Sequence, residues 1–178
     1  MKLRTILIGA GALALALSGT MVSAGAANAA TTATFAITAG SLSISEPAST
    51  VSLGSVTAGS LTLTGSLGDV TVTDARAALA AAWTASVSST EFSAGTNVSQ
   101  KVATTNISYV SGAGTAAAGQ IGTFTPGTVA SMDLVTRTAG VWAGTGSNTV
   151  TWNPSLTFSL LASQVAGTYT GTVTHSVA

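Results

Sequence analysis

The sequence has no cysteine and very few charged residues. Five Lys and Arg balance five Asp and Glu, so charged residues are 6% of the chain and the formal net charge is zero. About 25% is usual in globular proteins. Without cysteine we expect no disulfide, thiolate metal ligand, cysteine nucleophile or lipoprotein anchor. Zero net charge leaves no basic surface to neutralise phosphates, so we expect no nucleic-acid partner.

Titratable groups that catalysis needs are also scarce. His175 is the single histidine and would have to serve any serine triad or metal site. No Gly-x-Ser-x-Gly elbow occurs, and no spacing pairs two acids for sugar hydrolysis. We therefore predict a protein that is not an enzyme and that binds no metal or other cofactor. A glycoside hydrolase is the enzymatic alternative.

The first 29 residues have the layout of a secretory signal peptide. Lys2 and Arg4 precede an apolar run over residues 6–22, and residues 27–29 (Ala-Asn-Ala) provide an A-x-A cleavage site before Ala30. The alternative is a transmembrane anchor, which usually needs about 20 strongly apolar residues. We predict a signal peptide over 1–29 and one domain over 30–178, secreted to the extracellular space or cell wall, with no membrane span after cleavage.

Short strands are predicted along the rest of the chain. Ser and Thr make up 50 of the 149 residues from Ala30 onward, and Thr favours strands because its branched β-carbon suits a pleated surface. Apolar residues alternate with polar ones, most clearly over residues 168–177, and Gly-rich segments separate the runs. The pattern predicts an all-β fold, an antiparallel β-sandwich that is Ig-like or a related Greek key, with roughly seven to ten short strands in two sheets.

Residues 74–82 are the exception, because alanine dominates them. Alanine favours helix, and Asp74 is a suitable N-cap. We therefore predict one short helical turn near residues 75–82. The alternative is a loop that enters the strand of Trp83.

The aromatic residues divide into a predicted core and predicted surface contacts. Trp142 lies between glycines in a loop-like context, where an exposed indole stacks on a sugar ring or on a partner protein. We predict that Trp83 is buried and that Trp142 is the most exposed tryptophan. The predicted core residues are Trp83, Trp152, Phe158 and Tyr169, and the candidate surface-binding residues are Trp142, Tyr109, Asp74 and Arg76.

Three polar residues have both a structural and a functional interpretation. Asp74 and Arg76 are two residues apart and share a strand face, so they suit a local ion pair as well as a contact with a partner. His175 lies on the apolar face of the last predicted strand. A hydrogen-bonded core histidine is the structural interpretation there, and a ligand the functional one.

Two segments resemble a known family. Residues 70–76 (VTVTDAR), followed by residues 83–92 (WTASVSSTEF), resemble the first half of a WxL domain, and residues 169–177 (YTGTVTHSV) resemble its second half. The Gly- and Thr-rich ending also resembles secreted actinobacterial proteins. The family's Trp-x-Leu motifs are altered in this chain. Ala85 takes the first Leu position, and His175 and Val177 take the second Trp and Leu positions.

The resemblance implies a secreted, non-catalytic protein of a Gram-positive, actinobacterial cell surface. WxL domains associate non-covalently with peptidoglycan, so the expected partner is cell-wall peptidoglycan, or another surface glycan or protein. The alternative function is an extracellular structural subunit that self-assembles through strand edges. A surface with little charge lacks the charged residues that usually block edge pairing.

We expect the secreted protein to begin at Ala30 or within a few residues of it, because the A-x-A site follows the apolar run there. N-terminal sequencing of the secreted protein measures this directly. An N-terminus at Met1 or Lys2 would contradict cleavage at this site.

Overall fold

The computed structural model describes residues 31–47, 50–133 and 135–178, of which 46% lie in strands and 4% in helix. Ile37–Ala178 form one compact unit, and residues 31–36 have no regular secondary structure. The predicted signal peptide, residues 1–29, lies outside the described residues.

The described residues form fourteen strands and two short 3-10 helices. The strands are β1 (Leu42–Ser45), β2 (Thr62–Ser66), β3 (Val70–Asp74), β4 (Ala81–Ser89), β5 (Phe92–Ser93), β6 (Lys101–Val102), β7 (Ile107–Val110), β8 (Gly114–Ala116), β9 (Ile121–Pro126), β10 (Thr128–Val129), β11 (Arg137–Thr145), β12 (Asn148–Trp152), β13 (Ser155–Ser159) and β14 (Val173–Val177). The 3-10 helices are Val98–Gln100 and Thr104–Asn106.

One layer of the sandwich consists of two four-stranded sheets, which continuous runs of chain join into the two halves of a bent sheet. The halves have the strand orders β1-β3-β12-β8 and β10-β7-β13-β2, and all of their pairings are antiparallel. Three runs of chain cross from one half to the other at short breaks that contain Gly68, Gly112 or Pro154. Gly68 and Gly112 have φ of +84° and +72°, a conformation that glycine adopts without steric cost.

The other layer is the antiparallel sheet β14-β4-β11-β9. It meets the first layer at three places, where β1 lies beside β14, β8 beside β9 and β10 beside β11. A small pair, β5-β6, adjoins this sheet through a bridge between Ser93 and Thr170. The core lies between the two layers.

A single run of chain belongs to both layers. β9 pairs with β11, and after Gly127 the chain continues as β10, which pairs with β7 in the opposite layer. The Gly127 N–H donates to the carbonyl of Ala139 at 2.9 Å, where β11 shifts register against β4. A side chain at position 127 would collide with the carbonyl oxygens of Thr138 and Ala139, so this crossing requires glycine.

The predicted all-β antiparallel sandwich is confirmed. The described residues form fourteen strands in four sheets rather than roughly seven to ten strands in two sheets, because four bends divide longer runs. When β2 is joined to β3, β7 to β8, β9 to β10 and β12 to β13, ten runs of chain result. None of the helices in the described part of the chain is long and apolar enough to span a bilayer.

An aromatic stack fills the space between the layers. The ring centroid of Trp152 on β12 lies 5.2 Å from that of Phe124 on β9 and 6.2 Å from that of Trp83 on β4. Phe92 packs edge-on against Phe158, with centroids 4.9 Å apart. The predicted core residues that are buried are Trp83, Trp152 and Phe158, and Tyr169 is partly buried against them.

The prediction that Trp142 is the most exposed tryptophan is wrong, because only 1% of its surface is exposed. Trp142 lies within β11, a central strand that pairs with β4 and β9. Side chains at Gly122 or Gly144 would contact its indole ring. The neighbouring glycines therefore provide space for a buried indole, whereas the sequence suggested that they mark a loop.

The helical turn predicted near residues 75–82 does not form. Ala77 has a φ of +53°, which interrupts a right-handed helix, and Ala81 already begins β4. Ala81 and Trp83 are buried in that strand. Burial in the sandwich outweighs the helix propensity of alanine, which amounts to less than about 1 kcal/mol per residue.

The indole N–H groups of Trp83 and Trp142 differ in a way that predicts different effects of Trp→Phe substitution. Trp83 Nε1 donates to Asn148 Oδ1 at 2.8 Å, whereas Trp142 Nε1 has no acceptor among the described residues. An acceptor left unsatisfied in the core costs about 1–3 kcal/mol. We therefore expect Trp83→Phe to lower the free energy of unfolding by about 1–3 kcal/mol more than Trp142→Phe. Equal losses in urea denaturation would contradict this difference.

Candidate functional site

Four side chains form a continuous hydrogen-bonded chain from the core to the surface. Trp152 Nε1 donates to the hydroxyl of Tyr109 at 3.2 Å, and that hydroxyl lies 3.1 Å from His175 Nε2. His175 Nδ1 lies 2.6 Å from Glu46 Oε1, which also accepts the backbone N–H of His175 at 2.7 Å. Tyr109 is fully buried, and about a third of the Glu46 side chain is exposed.

The geometry of this chain favours a neutral imidazole. If His175 Nδ1 carries the proton, it donates to the carboxylate of Glu46, and His175 Nε2 accepts the Tyr109 O–H. Both ring nitrogens of His175 and the hydroxyl of Tyr109 then have a partner. Burial lowers the pKa of His175 below its usual 6.5, although the carboxylate of Glu46 opposes this shift. Burial likewise raises the pKa of Tyr109 to about 12.

Tyr109 is therefore not a surface residue. It was predicted as a candidate binding residue, but none of its surface is exposed in β7. Its strand lies between β13 and β10, and its side chain faces the other layer, 5.6 Å from the ring of His175. His175 is the hydrogen-bonded core histidine of the structural interpretation.

Asp74 and Arg76 form the local ion pair. Arg76 donates from Nε and Nη2 to the two carboxylate oxygens of Asp74, both at 2.9 Å, and from its backbone N–H at 3.0 Å. Arg76 Nη2 also donates to the carbonyl of Ala82 at 2.9 Å. The Arg76 guanidinium lowers the pKa of the buried Asp74 carboxyl. The pair ties the end of β3 to the start of β4, so these two predicted binding residues have a structural role.

The two other basic residues of the described chain also form ion pairs. Lys101 Nζ lies 2.7 Å from Glu91, and Arg137 Nη2 lies 2.5 Å from Asp133. These pairs are partly exposed, where ion pairs contribute little to stability. Nowhere in the described ranges do three metal-ligating side chains come together.

A groove of about 540 Å³ lies beside β2 and β13. Residues 50–60 form one wall, and residues 160–171 form the other. Leu63 and Phe158 contribute to its floor, and none of the described residues that line it carries a charge. Val56, Leu161 and Val165 leave exposed apolar surface there. A neutral groove of this kind suits a neutral ligand.

One wall of the groove is held firmly in place. Gln164 Nε2 donates to the carbonyl of Lys101 at 2.9 Å, and the Val165 N–H donates to the carbonyl of Ser99 at 3.1 Å. The hydroxyl of Tyr169 lies 2.8 Å from the carbonyl of Val165. The groove therefore keeps its shape on this side. A smaller cavity of about 320 Å³ beside Glu46 and His175 shares part of the other wall.

The two segments that resemble a WxL domain lie side by side in the structure. β4 pairs with β14, with Ala85 opposite Val177 and Val87 opposite His175. Both altered Leu positions therefore face each other across one strand pair. No family model, curated protein or solved structure matches the chain.

Glu46 and the groove are the parts of the site that sequence reasoning missed. Glu46 lies 129 residues from His175 in the chain, and no local motif joins them. The only signal was a histidine on an apolar strand face, since a buried imidazole needs a hydrogen-bonding partner. The walls of the groove are irregular segments, which have no periodicity to predict them.

The neutral state of buried His175 predicts a loss of stability in mild acid. The pKa of His175 is lowered in the folded protein, while the unfolded chain titrates near 6.5. Below that pH the unfolded state binds a proton that the folded state excludes, which favours unfolding. We expect the free energy of unfolding to fall from neutral pH to about pH 5, and His175→Leu to remove this slope.

Chemical denaturation at each pH measures this slope. The matched control is Glu91→Gln, which breaks an exposed ion pair and should keep the wild-type slope. The lowered pKa of Asp74, whose ordinary value is 3.8, removes stability only at still lower pH. A wild-type stability that is constant or rises towards pH 5 would show that His175 is charged when folded.

Proposed function

We propose that the chain is a secreted, non-catalytic β-sandwich protein of a Gram-positive cell surface, which associates non-covalently with the cell wall or with a surface partner. The neutral groove between residues 50–60 and 160–171 is the observation that carries the proposal. Its lining combines hydroxyl and backbone groups with exposed apolar side chains, a combination that suits uncharged glycan or peptide chains.

The distribution of the charged groups supports the same proposal. Arg76, Lys101 and Arg137 each pair with an acid on the same molecule. Glu46 and His175 pair with each other, and the imidazole is buried away from the groove lining. These groups therefore support the fold. Their pairing also implies weak electrostatic steering, so association should depend only mildly on salt.

The test is retention of the secreted protein on isolated Gram-positive walls at low and high salt. We expect retention at both, and we expect Leu161→Lys to weaken it because this change places a charge in the neutral groove. Leu79→Lys is the matched control, because Leu79 is exposed and lies outside the groove lining. Equal retention of the two variants would exclude the groove as the binding site.

Two further outcomes would overturn the proposal. Absence of retention at any salt would exclude wall association. Release of sugar or peptide fragments from the walls would show a hydrolase, particularly if His175→Ala abolished the release.

A second function, self-assembly of an extracellular structural subunit through strand edges, is favoured by one observation. β2 is the outermost strand of its half of the bent sheet. It contains only Thr, Leu, Gly and Ser, and therefore none of the charged residues or prolines that usually protect an edge. Sedimentation of the purified protein over a range of concentrations, without walls, distinguishes this function from the first.

A further inference from the structure

The outer edge of β2 presents unpaired backbone groups. The Leu67 N–H donates to the carbonyl of Pro154, and the Leu160 N–H donates to the carbonyl of Leu61, both at 2.8 Å. In an antiparallel ladder these bonds fix which groups face the partner strand. The backbone groups of Thr62, Thr64 and Ser66 therefore point away from β13, and none has a backbone partner among the described residues.

This edge adjoins the neutral groove. Leu63 of β2 lines the groove, whereas Thr62 and Thr64 are exposed on the outer face. Side chains alternate across a strand, so a strand added at this edge would direct every second residue towards the groove. The groove wall offers exposed apolar surface at Val56 and Leu161.

Residues 33–38 have the properties that this edge requires. Their sequence is Ala-Thr-Phe-Ala-Ile-Thr, which alternates at period two and carries no charge. Phe35 and Ile37 expose 89% and 78% of their surface. No other large apolar residue of the described chain is as exposed as Phe35. The segment has no strand partner among the described residues. Six residues are enough to span the five residues of β2, and the two apolar side chains share one face.

Only a short stretch of chain joins this segment to β1. Gly40 is hydrogen-bonded to the residue that follows β3. Asn148 lies opposite the end of β3 and Thr157 lies opposite Thr64, so nine residues of chain, which bend at Pro154, separate the two positions, with a fully extended length of about 30 Å. Phe35 is five residues from Gly40 and reaches at most about 18 Å. The edge of a second copy is not subject to this limit.

We propose that residues 33–38 of one copy add as a strand to the outer edge of β2 of a second copy, with Phe35 and Ile37 in the groove. Ala36 then lies opposite Thr64 on the outer face, whichever way the added strand runs. This inference rests on the second proposed function, assembly through strand edges, and assigns it a donor segment and an acceptor edge. The contact joins two different surfaces, so it repeats from copy to copy and builds an open chain.

Disulfide trapping tests the assigned pair directly, because the natural sequence has no cysteine. Secreted protein carrying Ala36→Cys is mixed with secreted protein carrying Thr64→Cys and then oxidised. We expect a disulfide-linked heterodimer. The matched control replaces Thr64→Cys with Thr84→Cys, an exposed threonine on β4, which pairs with a strand on each side and should give no heterodimer. Equal yields from both mixtures would overturn the assigned register.

Sedimentation of variants distinguishes a failure of this inference from a failure of strand-edge assembly as a whole. Phe35→Ser combined with Ile37→Ser should lower the association constant at least tenfold without changing the melting temperature, since both side chains are exposed. Leu79→Ser combined with Val98→Ser removes equally exposed apolar residues elsewhere and should assemble normally. Assembly that persists in the Phe35/Ile37 variant would overturn the inference and leave strand-edge assembly standing. A wild-type protein that stays monomeric up to about 1 mM would overturn both.

Discussion

Trp152 makes the contacts on which the two layers of the sandwich depend. Its ring stacks on Phe124 and lies against Trp83, which belong to the opposite layer. Its indole N–H begins the hydrogen-bonded chain that ends at Glu46. It is also the last residue of β12, immediately before the bend at Pro154. The apolar core, the buried polar groups and the curvature of the sheet are therefore coupled through one side chain.

The surface of this protein depends on hydroxyl groups where most sheets depend on charge. Thr64 and Thr157 lie opposite each other with their hydroxyl oxygens 2.9 Å apart, and Thr71 and Thr151 repeat the arrangement on the other half of the sheet. Such cross-strand pairs contribute roughly 0.2–1 kcal/mol each. They hold neighbouring strands in register, but they do not repel another strand. A sheet stabilised in this way remains open to pairing at its edge.

The sequence permitted correct prediction of the all-β sandwich, because alternation at period two is a direct consequence of strand geometry. The burial of Trp83 and the ion pair of Asp74 with Arg76 could also be predicted from the sequence, because each depends on neighbours within a few residues. The burial of Trp142 could not be predicted from the sequence, because it depends on glycines of β9 and β11 that come together only in the folded sheet. The pairing of Glu46 with His175 likewise depends on segments that are distant in the sequence. The helix propensity of alanine could not show that Ala81 would be buried in β4.

The crossing at Gly127 has a mechanical consequence. One continuous run of chain, β9 followed by β10, is hydrogen-bonded into both layers. Movement of one layer along the other would stretch this covalent link and break the hydrogen bonds of β9 to β11 and of β10 to β7 at the same time. We therefore expect the two layers to unfold together in a single cooperative step. The two layers therefore cannot be separated one after the other.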